Sequence, residues 1–292
     1  MRLGIVTPVV NLNPRFDPPE WEQQGTMEDI VAVARAAEAA GYAWVSCPEH
    51  VCIPTGVAAQ RGGRYWDPTV ALSYVAASTS SIGLLSHVLV LGYHHPLELV
   101  KRFGSLDEAS GGRVILGVGV GTLRPEFDLL GVPFEDRGRR ADDALRAVRA
   151  AFGTRAPSYD GPYYRFSEVI VDPCGMDRHV SVWVGGNSRP SLRRAIELGD
   201  GWIPFGLRVA QIEELLAEDA MAERRAARTD PFEVVLAPEP ALDPSGRPGE
   251  TTDAVAAYAA AGATGLHLRF VHHSRAHYVE QLEAMAELVP GG

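Results

Sequence analysis

Residues 111–127 read GGRVILGVGVGTLRPEF. From Gly117 on, every second residue is glycine (Gly117, Gly119, Gly121), and the residues between, with Leu116 before them, are Val118 and Val120. Alternate residues of a strand point to opposite faces. One face of this strand is therefore branched and apolar, and the other is stripped of side chains. In a closed barrel the bulky face meets the helices and the bare face looks inward, toward the C-terminal mouth. Barrel interiors are ordinarily filled by branched side chains, so inward glycines leave a slot. A flat ring or another backbone-hugging ligand could occupy it. Equally, the glycines could relieve crowding or mark a bulge. The spacing is GxGxG, which is not a dinucleotide fingerprint.

Outward from this stretch, short apolar segments alternate with amphipathic ones along the whole chain. Strands are expected at 3–10, 42–47, 82–91, 113–120, 180–186, 200–205, 232–237 and 264–271. Helices are expected at 26–41, 67–80, 95–110, 137–153, 188–199, 209–228, 251–262 and 274–289. Thr26 with Asp29, and Asp67 with Pro68, are helix-start signals, and Gly41 is a stop. Between the fourth and fifth units, YDGPYYRFSEVIVDP (159–173) reads as a two-stranded excursion turning at Gly161-Pro162. Eight strand–helix units predict an α/β fold, a (β/α)8 TIM barrel with a small hairpin. An open doubly wound sheet would carry GxGxxG in its first turn, and VVNLNPRFDPPEW has none. Nothing in the Pro- and Gly-rich linkers at 52–66 and 238–250 marks a second domain, so residues 1–292 read as one.

The 292 residues contain 46% hydrophobic residues, enough for a barrel core. A formal net charge of −10 argues against a non-specific nucleic-acid or anionic-membrane surface. Cys47, Cys52 and Cys174 form no CxxC pair, which argues against a disulfide scaffold or zinc site and suits a reducing cytoplasm. No signal peptide and no membrane span is read in the sequence.

Several motifs fall at strand ends. VGGNSRPSL (184–192) takes two glycines from a strand into a helix start. Free N–H groups and the helix dipole there make an anion site; the alternative is a plain cap, and the double glycine at a barrel mouth favours phosphate. CPEHV (47–51) puts Glu49 and His50 past strand two, where an imidazole could pass a proton or be an ordinary loop histidine. His94-His95 and His272-His273 read as loop residues, with no metal expected. Tyr65 and Trp66 fit a substrate wall or packing under a loop.

HPLELVKRFGSLDEASGGRVILGVGVG, EFDLLGVPFEDRGRRADDAL, WVGGNSRPSLRRAIELGDGWIP and SCPEHV together resemble the bacterial luciferase-like superfamily of flavin- and deazaflavin-dependent oxidoreductases, most closely its F420-dependent branch. The resemblance implies a barrel, commonly a homodimer, with coenzyme F420, or alternatively FMN, at the C-terminal mouth. It implies that Gly119, Gly121 and Thr122 lie along the cofactor ring. It places a non-proline cis peptide under that ring at Ser86-His87. It sets Trp183, Val184, Gly185, Gly186, Asn187 and Ser188 beside the cofactor tail, and His50 near the redox face. Thr122 stands where some sugar-phosphate dehydrogenases of the family carry an acidic glutamate. The next carboxylate is Glu126, so that proton-transfer role does not carry over.

The expected function is hydride transfer between F420 and a small organic substrate. The alternatives are an FMN-dependent monooxygenase using oxygen and a reductase partner, a non-catalytic flavin-binding barrel, and a sugar-phosphate barrel without a redox cofactor.

Overall fold

The computed structural model describes residues 1–290. Eight parallel strands close on themselves: β1 Arg2–Val6, β2 Trp44–Cys47, β3 Gly83–Ser86 (resuming at Leu89–Val90), β4 Val114–Gly119, β5 Ser181–Gly185, β6 Gly201–Ile203, β7 Glu233–Leu236 and β8 Gly265–Leu268. Each pairs with its sequence neighbour, and β1 pairs with β8, which completes the barrel. The helices outside are α1 Met27–Ala39, α2 Pro68–Ala76, α3 Pro96–Ala109, α4 Arg137–Ala151, α5 Arg189–Leu198, α6 Val209–Ala217 (continued by Asp219–Ala226), α7 Pro248–Ala260 and α8 Arg275–Leu288. The expected (β/α)8 barrel is the observed fold.

The start signals act as the sequence suggests. Thr26 and Asp29 form a reciprocal capping box on α1, and the Asp67 side chain accepts the Val70 N–H with Pro68 in the first turn of α2. The excursion is a hairpin of Tyr159–Asp160 against Arg165–Phe166. It is pinned to α4 by Asp143, which accepts from the Tyr159 hydroxyl at 2.6 Å and from the Tyr163 and Tyr164 N–H groups at 2.9 Å. Its second strand ends well before the expected 173. A short helix at Arg124–Leu130, between β4 and α4, has no counterpart in the sequence reading.

Branched side chains on the outer strand faces pack under the helices: Leu116, Val118 and Val184 belong to that core. The barrel interior has its own floor of Trp44, Leu85, Trp183, Ile203 and Val235, with Ile115 against it. The two indoles meet edge to face, centroids 5.0 Å apart. They fit because neighbouring strands give up side chains. A Cβ on Gly4 would fall 2.1 Å from the Trp44 ring, and one on Gly265 would fall 2.9 Å from it.

The β4 glycines face inward, as the alternation predicts for Gly117 and Gly119, but protein fills the slot. A Cβ on Gly117 would lie 1.8 Å from the Ser86 carbonyl oxygen, and one on Gly119 would lie 2.8 Å from Val88 Cγ2. Gly121 lies past the strand end at φ +76°, where a Cβ would meet Phe127 at 2.6 Å and Val90 at 2.7 Å. Crowding by neighbouring protein is by itself sufficient reason for all three glycines to be bare, whether or not a ring also lies above Gly119 and Gly121. The cause is a bulge in β3. Leu85 pairs with Ile115 and Leu89 with Val118, so four steps on β3 span three on β4. The cis peptide also moves: it joins His87 to Val88, not Ser86 to His87. Ser86 still pairs with Cys47, and the His87 N–H still donates to the Cys47 carbonyl at 2.8 Å, so the chain leaves the ladder one residue later than expected.

Gly117→Ala is expected to destabilise the folded chain by about 2 kcal/mol or more, because backbone cannot yield as a side chain can. Gly119→Ala, which meets only the Val88 side chain, is expected to cost less. Denaturant unfolding of the two variants checks the order.

Candidate functional site

The strand ends at the C-terminal mouth carry two histidine–carboxylate pairs. His50, in the loop after β2, places Nδ1 2.7 Å from Glu126 Oε2. Glu126 is fully buried and comes from the Arg124–Leu130 helix. Its Oε2 also accepts from the Tyr93 hydroxyl at 2.8 Å, and its Oε1 accepts the N–H groups of Val51 at 2.7 Å and Cys52 at 3.1 Å. Burial alone would raise this carboxyl. The bonds from His50, Cys52 and Tyr93 outweigh it and hold the group below the usual carboxylate range. A carboxylate accepts only, so Nδ1 is the protonated nitrogen of His50, and Nε2, with no partner among the described residues, can take or give a proton. The Tyr65 ring packs edge to face on His50 with centroids 4.6 Å apart.

Glu49, one residue before His50, turns the other way. Its Oε2 accepts the Val90 N–H at 2.7 Å, and its Oε1 lies 2.7 Å from His94 Nε2. Burial pulls the His94 imidazole down, but Glu49 and Glu98 prevail and raise it. This pair ties the loop after β2 to the resumed end of β3 and sets the direction in which His50 leaves the strand.

Below the mouth lies a polar layer. The Trp44 indole N–H donates to His267 Nδ1 at 3.0 Å, so the neutral ring carries its proton on Nε2, 3.1 Å from Ser46 Oγ. The His87 ring packs on His267 with centroids 4.5 Å apart, and its buried Nε2 has no partner. Burial drives both imidazoles down, His87 to about 4 and His267 well below its ordinary value.

The remaining sequence candidates separate into two groups. Ser86 is buried, its hydroxyl donating to the Gly117 carbonyl and accepting the Gly117 N–H, each at 3.0 Å. Trp183 and Val184 are each 1% exposed, one in the barrel floor and one under the helices, so neither reaches the mouth. At the top of β5 the inward alternation brings Gly185, rather than the Trp183 and Val184 side chains, to the place where the resemblance sets a cofactor tail. Gly185 and Gly119 flank Val88, since a Cβ on either would come within 2.8 Å of that side chain. Gly186, Asn187 and Ser188 connect the C-terminal end of β5 to α5. Ser188 caps α5 through a reciprocal bond with Ser191, and the Gly186 carbonyl accepts from the Trp202 indole at 3.0 Å. Thr122 is exposed past β4. Sequence alone names Glu126, Glu49 and His94 but pairs neither Glu126 with His50 nor Glu49 with His94, and Tyr93 carries no signal in it. The available signal is a carboxylate five residues past the last of the glycines, in the first turn of a short helix.

The titrations have a definite sign. His87, His267 and His272, the last also near 4, stay neutral in the fold while the unfolded chain takes up protons below about pH 6.5. Their contribution is complete above that pH and is lost as pH falls through the folded values. Stability is therefore expected to drop from pH 6.5 toward 4, by about 1.4 kcal/mol per pH unit for each such group. His94, raised by Glu49, acts oppositely, above pH 6.5. Denaturant unfolding across this range should show a shallower acid loss in His87→Leu than in the unchanged chain.

Comparison with known proteins places this geometry. The model of the luciferase-like monooxygenase family matches residues 1–289. An uncharacterised protein of Mycobacterium tuberculosis is 28% identical over 216 residues, 70% of this chain and 74% of that one. An FMNH2-dependent dimethylsulfone monooxygenase of Pseudomonas fluorescens is 26% identical over 196 residues, 64% of this chain and 52% of that one. Among solved structures, a Streptomyces bottropensis monooxygenase superposes with a TM-score of 0.80 at 19% identity, covering 99% of this chain and 98% of its own. An F420-dependent secondary alcohol dehydrogenase superposes with a TM-score of 0.76 at 12% identity, with the same coverage of both chains. With the family model spanning nearly every residue, from the first strand through the last helix, the chain belongs to the luciferase-like monooxygenase family.

Proposed function

We propose that the chain is an oxidoreductase that transfers hydride between coenzyme F420 and a small organic substrate at the C-terminal mouth of the barrel. The observation that carries this reading is the His50–Glu126 pair, a proton-transfer group held by a buried carboxylate at the catalytic end of the barrel. The residues present fit a flat ring. Val88, partly exposed and seated between Gly119 and Gly185, offers an apolar platform there. Gly186, Asn187 and Ser188 lead into the start of α5, where the helix dipole favours an anionic tail. When bound, the cofactor would supply the hydride.

The chain's own residues supply the rest. Glu126 fixes the tautomer and direction of His50, and Tyr93 with the Val51 and Cys52 N–H groups fixes Glu126. His50, as the imidazolium, would give its Nε2 proton to the substrate oxygen while the substrate carbon gains hydride; in the reverse direction the neutral ring would take that proton at Nε2. Tyr65 keeps the ring from turning.

The similarity to an FMNH2-dependent monooxygenase supports a second reading, with FMN as the cofactor and oxygen as co-substrate. Parallel titration of the purified chain with F420 and with FMN, followed by absorbance and fluorescence, decides between them. Saturable binding of F420 but not FMN is the expected result; the reverse selects the monooxygenase, and binding of neither overturns both. With a turnover assay in hand, His50→Gln is expected to lower kcat by about 10²- to 10⁴-fold. Glu126→Gln, which loses the charge but keeps the shape, is expected to lower kcat by less and to shift its pH profile.

A further inference from the structure

A second polar feature at the mouth lies outside the His50 pair. Beside the ends of β1 and β8 is a small cleft of about 70 Å³, open to solvent and lined among others by Asn11, Asn13, Phe16, Arg269, His272 and Tyr278. Arg269 follows β8 directly. Along β8, Leu266 and Leu268 pack under the helices and His267 faces the barrel interior, so alternation points Arg269 inward as well, one layer above His267.

The Arg269 side chain is only 21% exposed, yet no acceptor among the described residues lies within hydrogen-bonding distance of its guanidinium. The one carboxylate oxygen within ion-pair range is Glu239 Oε1, 3.6 Å away. That carboxylate is already engaged by Arg15, whose Nη2 reaches its two oxygens at 2.9 and 3.2 Å. The guanidinium instead lies over the Phe16 ring, 3.9 Å from its centroid. Glu22, the acidic residue in the cleft lining, is also engaged: its Oε2 accepts the Val9 N–H at 2.8 Å and its Oε1 lies 3.3 Å from His272 Nε2. His272 is neutral, because its Nδ1 accepts from the Trp21 indole at 3.1 Å. The acids are thus partnered, while the mostly covered Arg269 fork keeps solvent-facing donors that no described residue meets at hydrogen-bonding distance. A guanidinium held flat in a cleft, with its fork facing solvent, is placed to take a planar anionic acceptor in charge-assisted hydrogen bonds.

We propose that this cleft binds the anionic group of a small organic acid, with the Arg269 fork as its recognition element and Phe16 as the surface that holds the fork flat. The chemistry is that of a carboxylate or phosphate, both of which match the planar fork in pairs of parallel hydrogen bonds. The cleft adjoins the proposed reaction centre. Asn11 bridges to Tyr65, and Tyr65 packs on His50. On the redox reading above, on which this assignment of substrate class rests, the acid group would therefore be held to one side while the reducible carbon faces His50.

The test is calorimetric titration of the full chain, without cofactor and at low ionic strength. Sodium butyrate and sodium phosphate are the probes, with butyramide as the neutral control. Saturable binding of either anion, absent with butyramide, is expected, and the tighter of the two identifies the acid class. Arg269→Gln should weaken that binding tenfold or more, with Arg269→Lys intermediate because it keeps charge and loses the fork. Glu239→Gln, which removes the nearest competing carboxylate, should tighten it. The proposal is overturned by no saturable binding of either anion, by equal binding of butyramide, or by undiminished binding in Arg269→Gln. If Arg269→Gln does not fold, the Lys and Glu239 variants decide. Since no cofactor is present, failure of F420 to bind leaves this result standing, and failure here leaves the cofactor titration untouched.

Discussion

The architecture of the mouth depends on one close approach, that of the Ser86 backbone to Gly117. The carbonyl oxygen of Ser86 occupies the space a Cβ would take, while its hydroxyl bridges the N–H and carbonyl of Gly117. The extra residue in β3 is absorbed there without leaving buried polar groups of β4 unpaired, which would cost about 1–3 kcal/mol each. Beyond the bulge, Val88 is pushed up between Gly119 and Gly185, and β3 resumes beside β4. The glycines of two strands are thus the complement of a feature on a third. An empty slot on β4 and a bulge on β3 are two descriptions of the same contact.

Polarity rises in layers along the barrel axis. The floor is two indoles and branched aliphatics. Above it stand neutral histidines that hydrogen bond inward, His267 to Trp44 and Ser46, with His87 against it. At the mouth the groups are charged, and the carboxylates are each held by two or more donors. This order follows from desolvation. An ion at the floor would lose most of its hydration, whereas at the mouth a carboxylate can be buried once backbone N–H groups, a tyrosine hydroxyl and an imidazole supply its bonds. Glu126 meets that condition fully, which is why a side chain with no exposed surface remains ionised.

Glu49 and Glu126 divide the work of placing His50. Glu49, next in the chain, faces β3 and anchors the loop; Glu126, distant in sequence, reaches across to grip the imidazole. A histidine on a loop has many rotamers, and fixing it takes partners from at least two directions. The Arg124–Leu130 helix exists at this point in the chain with Phe127 buried against Gly92 and Tyr93, so the hydrophobic contact that seats the helix also delivers the carboxylate.

The sequence alone determined the barrel. Eight apolar runs of strand length, each followed by an amphipathic segment of helix length, admit few other closed solutions, and the alternation of β4 fixes which of its residues look inward. It also placed His50 and the Gly186–Ser188 turn at strand ends. What it could not determine were the contacts between strands that are distant in sequence. Whether a glycine faces a ligand or a neighbouring backbone is set by the register of β3 against β4, and one extra residue in β3 decided it. Trp183 reads as a pocket residue in a glycine-rich motif, yet its place in the barrel floor follows from Trp44 on the opposite side. In the sequence Glu126 is only the next carboxylate after Thr122, with nothing to mark its partner. Only tertiary structure brings it beneath His50, because the partner that makes its burial favourable lies on another strand end.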